Sequence, residues 1–127
     1  MVVKKKILIV DDEESFGKLV KLNLEETGEY EVRVETKGLR AVPAAREFKP
    51  DFILLDVVMP DMDGGDVAQA LKTDNELKDI PVGFLTALVS EYEVTPKGEN
   101  IAGHPFIAKP VSVGQLIAFI KNNIIRY

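Results

Sequence analysis

Five residues of the kinds that handle phosphate and metal ions each stand at the end of a short apolar run. Asp11 and Asp12 follow Ile7-Leu8-Ile9-Val10, and Asp56 follows Phe52-Ile53-Leu54-Leu55. Thr86 closes the run from Pro81 to Leu85, and Lys109 follows Phe106-Ile107-Ala108. Brief stretches rich in Ile, Val, Leu and Phe have the pattern of strands buried on both faces of a parallel sheet. In an open sheet of that kind, ligands bind in the crevice beyond the carboxyl ends of the strands, where strand order reverses direction. The five side chains are therefore expected to converge on one rim.

Three carboxylates crowded at such a rim repel one another, by about 4 kcal/mol for each pair at ~4 Å in an effective dielectric near 20. Something cationic must offset this. Hard oxygen ligands with room for water suit Mg²⁺. Lys109 would add a mobile positive charge and Thr86 a neutral hydroxyl donor. These are the parts phosphoryl transfer needs: cations to hold the transferred group and an oxygen placed to attack in line. Asp56 is the nucleophile candidate, because it stands alone ahead of a loop marked by Pro60, Gly64 and Gly65, whereas Asp11 and Asp12 form the adjacent pair suited to holding metal.

The elements that must carry these residues alternate. Glu14 to Glu26 places Phe16, Leu19, Val20 and Leu24 at helical spacing, and Gly28 follows as a stop. Tyr30 to Val34 alternates apolar and charged residues, the pattern of a strand at a sheet edge. Leu39 to Phe48 predicts a helix that Pro43 should bend or shorten. A short helix follows around Val67, Ala68 and Leu71. Ser112-x-x-Gln115 is a capping box that opens a last helix, with Val113, Leu116, Ile117, Ile120 and Ile124 as its buried stripe. Between Val89 and Pro105 the pattern fades at Pro96, Gly98 and Gly103, and only a short or frayed helix is expected. Strands separated by helix-sized segments imply a doubly wound α/β fold with helices on both faces of a five-stranded parallel sheet.

A chain of 127 residues without repeats or Gly/Ser linkers reads as one domain, residues 1–127. The net charge of −5 argues against direct nucleic-acid binding, which usually needs a basic face. The Lys4-Lys5-Lys6 run reads as solvated charge guarding an apolar strand. There is no cysteine, so neither disulfides nor thiolate metal sites are available. No apolar run is long enough to span a membrane, and a cytoplasmic location is the default expectation.

The segments ILIVDDE, LLDVVMPDMDG, Thr86-Ala87 and Lys109-Pro110 together resemble the receiver (phosphoacceptor) domains of bacterial two-component response regulators, from about Lys5 to Ile124. The resemblance implies a flavodoxin-like sheet of order 2-1-3-4-5. It implies that Asp56 takes a phosphoryl group from a sensor histidine kinase or phosphotransfer protein. Mg²⁺ would be held by Asp11, Asp12, Asp56 and the backbone carbonyl of Val58, with Thr86 and Lys109 on the phosphoryl oxygens. It further implies a switch in which Thr86 moves inward, the ring of Phe106 fills the vacated space, and the altered surface meets a downstream protein or effector domain. Such a domain catalyses only its own phosphorylation and dephosphorylation.

Two positions depart from the polar character that shortens the phosphoryl lifetime in this family: Val58 and Leu88 are both apolar. A slow loss of phosphate is expected. Rival readings are a non-phosphorylated pseudo-receiver acting as an interaction module, an FMN binder and a metal-dependent phosphohydrolase. The acidic Asp11-Asp12-Glu13-Glu14 run would repel an FMN phosphate, and no general acid for a hydrolase is apparent. His104 lies in a Gly-His-Pro loop and is not expected to carry phosphate. Asp61, Asp63 and Asp66 read as turn residues and a helix start, not as a second metal site.

Overall fold

A computed structural model of the chain describes residues 3–57, 59–86, 100–101, 104–108 and 112–124. Strand and helix alternate through β1 (Lys5–Val10), α1 (Glu14–Glu26), β2 (Tyr30–Glu35), α2 (Ala41–Phe48), β3 (Phe52–Asp56), α3 (Gly64–Lys72) and β4 (Val82–Thr86). β5 (Asn100–Ile101), β6 (His104–Ala108) and α4 (Val113–Asn123) follow. The sheet order is β2-β1-β3-β4-β6-β5. The first five strands of that series run parallel, which is the flavodoxin-like 2-1-3-4-5 arrangement expected from the sequence. The two-residue β5, which pairs antiparallel with β6, is an addition the sequence did not announce.

Both faces of the sheet are covered, which is why its central strands are apolar without alternation. Leu8, Val10, Ile53, Leu55, Val82 and Phe84 pack against α2 and α3 through Ala41, Ala44, Ala45, Val67, Ala68 and Leu71. Ile7, Ile9, Phe52, Leu54 and Leu85 pack on the opposite face against Val20 and Leu24 of α1 and Leu116 and Ile120 of α4. Successive strand residues thus feed alternate cores, as the two-residue period of a strand requires.

Small residues set the approach of the layers. A Cβ at Gly17 of α1 would lie 2.6 Å from Val34 Cγ1 of β2. At Gly83 of β4 it would meet the rings of Phe52 and Phe119 at 2.7 Å. Those two rings pack edge to face with centroids 6.2 Å apart.

The expected helices form, with three differences. Leu19 is 55% exposed and does not join the α1 stripe, which consists of Gly17, Val20 and Leu24. One residue step rotates a helical side chain by about 100°, so Leu19 and Val20 cannot both face the sheet. The segment expected from Leu39 to Phe48 divides into a 3-10 turn at Gly38–Arg40 and α2 proper. Pro43 therefore sits in the first turn of α2, where an N–H has no partner within the helix. Phe119 joins the buried side of α4, beside the expected stripe. The capping box opening α4 is present in both directions, Gln115 N–H to Ser112 Oγ at 3.1 Å and Ser112 N–H to Gln115 Oε1 at 3.0 Å. The helix expected between Val89 and Pro105 falls largely on residues outside the described ones.

Candidate functional site

The sheet reverses direction between β1 and β3, since the chain moves from β1 outward to β2 and then crosses back to β3 on the other side. Val10 is in register with Leu55, so Asp11 and Asp56 leave adjacent strands at the same level. One carboxylate oxygen from each of Asp11, Asp12 and Asp56 lies within 4.8 Å of the other two. Asp11 is fully buried, Asp56 is 6% exposed and Asp12 faces solvent.

Local hydrogen bonds fix this arrangement. Asp11 N–H donates to Glu35 O at 3.0 Å, which extends the β1–β2 ladder by one residue. The Oδ1 of Asp11 accepts the Glu13 N–H at 2.9 Å, a two-residue turn that aims the chain into α1. The N-cap of α1 is Glu13, so neither aspartate of the pair serves as the helix cap. Beyond β3, the Gly64 N–H donates to Val57 O at 2.8 Å and closes the base of the loop that follows Asp56. Gly64 is pressed so tightly there that a Cβ would lie 2.3 Å from the Asp56 carbonyl oxygen.

Burying two like charges side by side costs about 3 kcal/mol or more at an effective dielectric near 20. Three hard oxygen donors this close, one of them open to solvent, fit a small divalent cation that keeps part of its water shell. Among the described residues this is the one cluster of potential metal ligands.

The remaining expected site residues are placed in part. Thr86 ends β4 and pairs with Ala108, so the backbones of β4 and β6 end together on the rim that carries the aspartates. Its side chain, all of Val58 and all of Lys109 lie outside the described residues. Phe106 pairs with Phe84 across β4 and β6 and is half-buried against the core on the α2–α3 side. The three aspartates of the β3–α3 loop do not form a second metal site with one another. Asp63 is the N-cap of α3, accepting the Gly65 N–H at 2.7 Å, and Asp66 stands in the first turn.

Asp61 does something the sequence reading missed. Its two carboxylate oxygens accept the N–H groups of Gly38 and Leu39, each at 3.0 Å. The Leu39 and Gly38 N–H groups hold the Asp61 carboxyl below the usual carboxylate pKa. No sequence signal marks this, because the partners lie 22 and 23 residues away and belong to backbone.

His104 begins β6, at the opposite end of the sheet from the aspartates, with its ring edge-on to Phe84 at 5.5 Å. It lines a cavity of about 540 Å³ with Asp51, Lys72 and Asp79. Burial, and secondarily the charge of Lys72, push its pKa below the ordinary value of 6.5.

A five-stranded parallel sheet of order 2-1-3-4-5 with a three-aspartate cluster at its switch point defines a receiver-type signalling fold. The chain belongs to the response regulator receiver domain family, whose family model matches residues 7–121. It is 38% identical over 120 residues to the polar-differentiation response regulator DivK of Brucella anthropi, covering 93% of this chain and 94% of that protein. It is 34% identical to the DNA-binding dual master transcriptional regulator RpaA of Synechocystis, covering 91% of this chain and 47% of that protein. It is thus similar to nearly the whole of the former and spans about half the length of the latter. Among solved structures, the chemotaxis protein CheY4 of Vibrio cholerae superposes with a TM-score of 0.83 at 27% identity, covering 97% of this chain and 100% of that one. The N-terminal domain of a response regulator receiver protein from Methanoculleus marisnigri superposes with a TM-score of 0.71 at 33% identity, covering 96% of this chain and 98% of that one. Receiver domains are signalling switches that interact with histidine kinases or phosphotransfer proteins and with downstream effectors.

Proposed function

We propose that residues 1–127 form a single receiver that accepts a phosphoryl group on Asp56 from the phosphohistidine of a sensor histidine kinase or a phosphotransfer protein. The observation that carries this reading is the buried Asp56 carboxylate held within 4.8 Å of Asp11 and Asp12 at the switch point of the sheet. A carboxylate oxygen of Asp56 attacks phosphorus in line, the N–P bond of the donor breaks as the O–P bond of an acyl phosphate forms, and the released imidazole takes up a proton. Asp11 and Asp12, with Asp56 and the Val58 carbonyl, hold Mg²⁺, which when bound neutralises charge on the phosphoryl oxygens. Lys109 supplies a further cation and Thr86 a hydroxyl donor to those oxygens.

The added phosphate carries up to two negative charges and several acceptor oxygens. Thr86 turns toward it and the Phe106 ring takes the vacated space, which alters the surface offered to a downstream protein or effector domain. A swing from about 1:99 to 99:1 needs ~5.5 kcal/mol of differential interaction, within reach of a few charge-assisted hydrogen bonds. The acidic balance of the chain fits a switch that meets proteins in the cytoplasm and does not bind nucleic acid itself. Val58 and Leu88 offer no side chain to orient an attacking water, so the phosphoryl group is long-lived, and Val58→Asn should shorten its lifetime.

Incubation with acetyl phosphate, with and without Mg²⁺, followed by intact-mass measurement on wild type and Asp56→Asn, tests this. Phosphorylation that needs both Mg²⁺ and Asp56 is expected. A wild-type protein that stays unmodified would favour the pseudo-receiver reading.

A further inference from the structure

The loop that leaves Asp56 is fastened at both ends. At its base Gly64 N–H bonds Val57 O, and Gly64 itself lies against the Asp56 carbonyl. At its tip Asp61 reaches across to the 3-10 turn between β2 and α2 and accepts two consecutive backbone N–H groups, from Gly38 and Leu39. Loop and turn also meet by packing. A Cβ at Gly38 would lie 3.0 Å from Met62 Cβ, 3.2 Å from Val67 Cγ2 and 3.3 Å from Met59 Cε. A residue that merely shaped its own turn would bond locally, as Asp63 does with Gly65 two positions on. Asp61 instead spans to a turn that hangs from β2, the strand paired with the one ending at Asp11 and Asp12.

We propose that Asp61 is a positioning residue for the cation site: its clamp on Gly38 and Leu39 holds the loop after β3 so that the Asp56 carboxylate stays beside Asp11 and Asp12. The inference rests on the proposed Mg²⁺-dependent function and adds a residue that touches neither ion nor phosphoryl group. A cation site whose ligands come from two separate strand ends loses affinity when either end can drift, because ordering them must then be drawn from the binding energy. Partners that orient metal ligands at one remove typically change affinity by about tenfold or more when deleted.

The test is a Mg²⁺ titration followed by amide NMR shifts, with amide hydrogen exchange and melting temperature measured alongside. It compares wild type, Asp61→Ala, Asp61→Asn and Asp66→Asn. Asp66→Asn removes the same charge from the neighbouring helix turn without touching the clamp. Asp61→Ala is expected to bind Mg²⁺ about tenfold more weakly and to lose exchange protection at the Gly38 and Leu39 amides. Asp61→Asn, which keeps one acceptor oxygen, should fall between it and wild type. Asp66→Asn should match wild type. If Asp61→Ala does not fold, the Asn variant decides. Wild-type affinity in the Asp61 variants, or an equal loss in Asp66→Asn, would overturn the inference while leaving the functional reading standing. A wild-type protein with no Mg²⁺ response at all would remove both.

Discussion

Gly64 lies against the backbone of Asp56, leaving no room for a side chain: a Cβ there would stand 2.3 Å from the Asp56 carbonyl oxygen and 2.7 Å from Val57 Cα. Both neighbours are backbone of the strand end that carries the Asp56 carboxylate, so neither can swing aside. Gly64→Ala must push α3 away from β3. It is expected to lower unfolding free energy by about 1–3 kcal/mol, the usual cost of overpacking, and to weaken Mg²⁺ binding. Urea unfolding reads the first effect and a Mg²⁺ titration the second. A wild-type urea midpoint would show that the close approach is not maintained in solution.

The second close approach is of another kind. The atoms nearest a Cβ at Gly83 would be side-chain atoms, in the rings of Phe52 and Phe119. Gly83→Ala should cost about 1–2 kcal/mol, and adding Phe119→Leu should recover part of that, because the leucine leaves space where the ring pressed. A double-mutant cycle by urea unfolding measures the coupling. Strict additivity of the two changes would contradict the contact.

How far the sequence reached can be judged from these positions. The ends of β1, β3 and β4 were readable because an apolar run buried on both faces must stop where a carboxylate or hydroxyl begins, and Asp11, Asp56 and Thr86 mark those stops. The faces of α1 were less readable. Hydrophobic spacing counts Leu19 alike with Val20 and Leu24, yet only the latter two are buried, and which residues face the sheet depends on how the helix is rotated against β2. β5 could not be read, since two residues carry no periodicity and exist as a strand only through pairing with β6. The clamp made by Asp61 was unreadable for a similar reason: the residue does stand in a loop, as its type suggests, while its bonds cross to a turn more than twenty residues earlier in the chain.

The opening of α4 offers a clean local test. Ser112 and Gln115 satisfy each other's backbone N–H groups, and Ser112→Ala removes one of those bonds and loosens the other. A loss of about 1 kcal/mol is expected by urea unfolding. Ser112→Asp, which keeps an acceptor at the cap, should retain most of the stability. No loss in Ser112→Ala would mean the cap contributes nothing, and equal losses in the two variants would mean the acceptor at the cap is not what stabilises the helix start.

His104 gives the chain a pH dependence with a definite sign. Burial holds its folded pKa below the unfolded value of 6.5, so between those two values the unfolded chain binds more protons than the folded one. Stability therefore rises with pH through that window, is fully present above the unfolded value and is lost as the solution is acidified toward the folded value. Melting temperatures of wild type and His104→Gln measured over pH 7.5 to 5.5, roughly the range in which an imidazole titrates, should diverge, with the wild type falling more steeply. Parallel curves would show that the imidazole is not shielded from water.

Everything proposed for function depends on which side chain takes the phosphoryl group. An acyl phosphate is reduced by borohydride at its carbonyl carbon, which converts the aspartyl residue that carried it to homoserine. Treating the acetyl-phosphate reaction with borohydride, digesting it and sequencing the peptides by mass spectrometry reads the position directly. Homoserine at residue 56, formed only when Mg²⁺ is present, is the expected result. Homoserine at Asp11, Asp12 or any other aspartate, with residue 56 unchanged, would contradict the account.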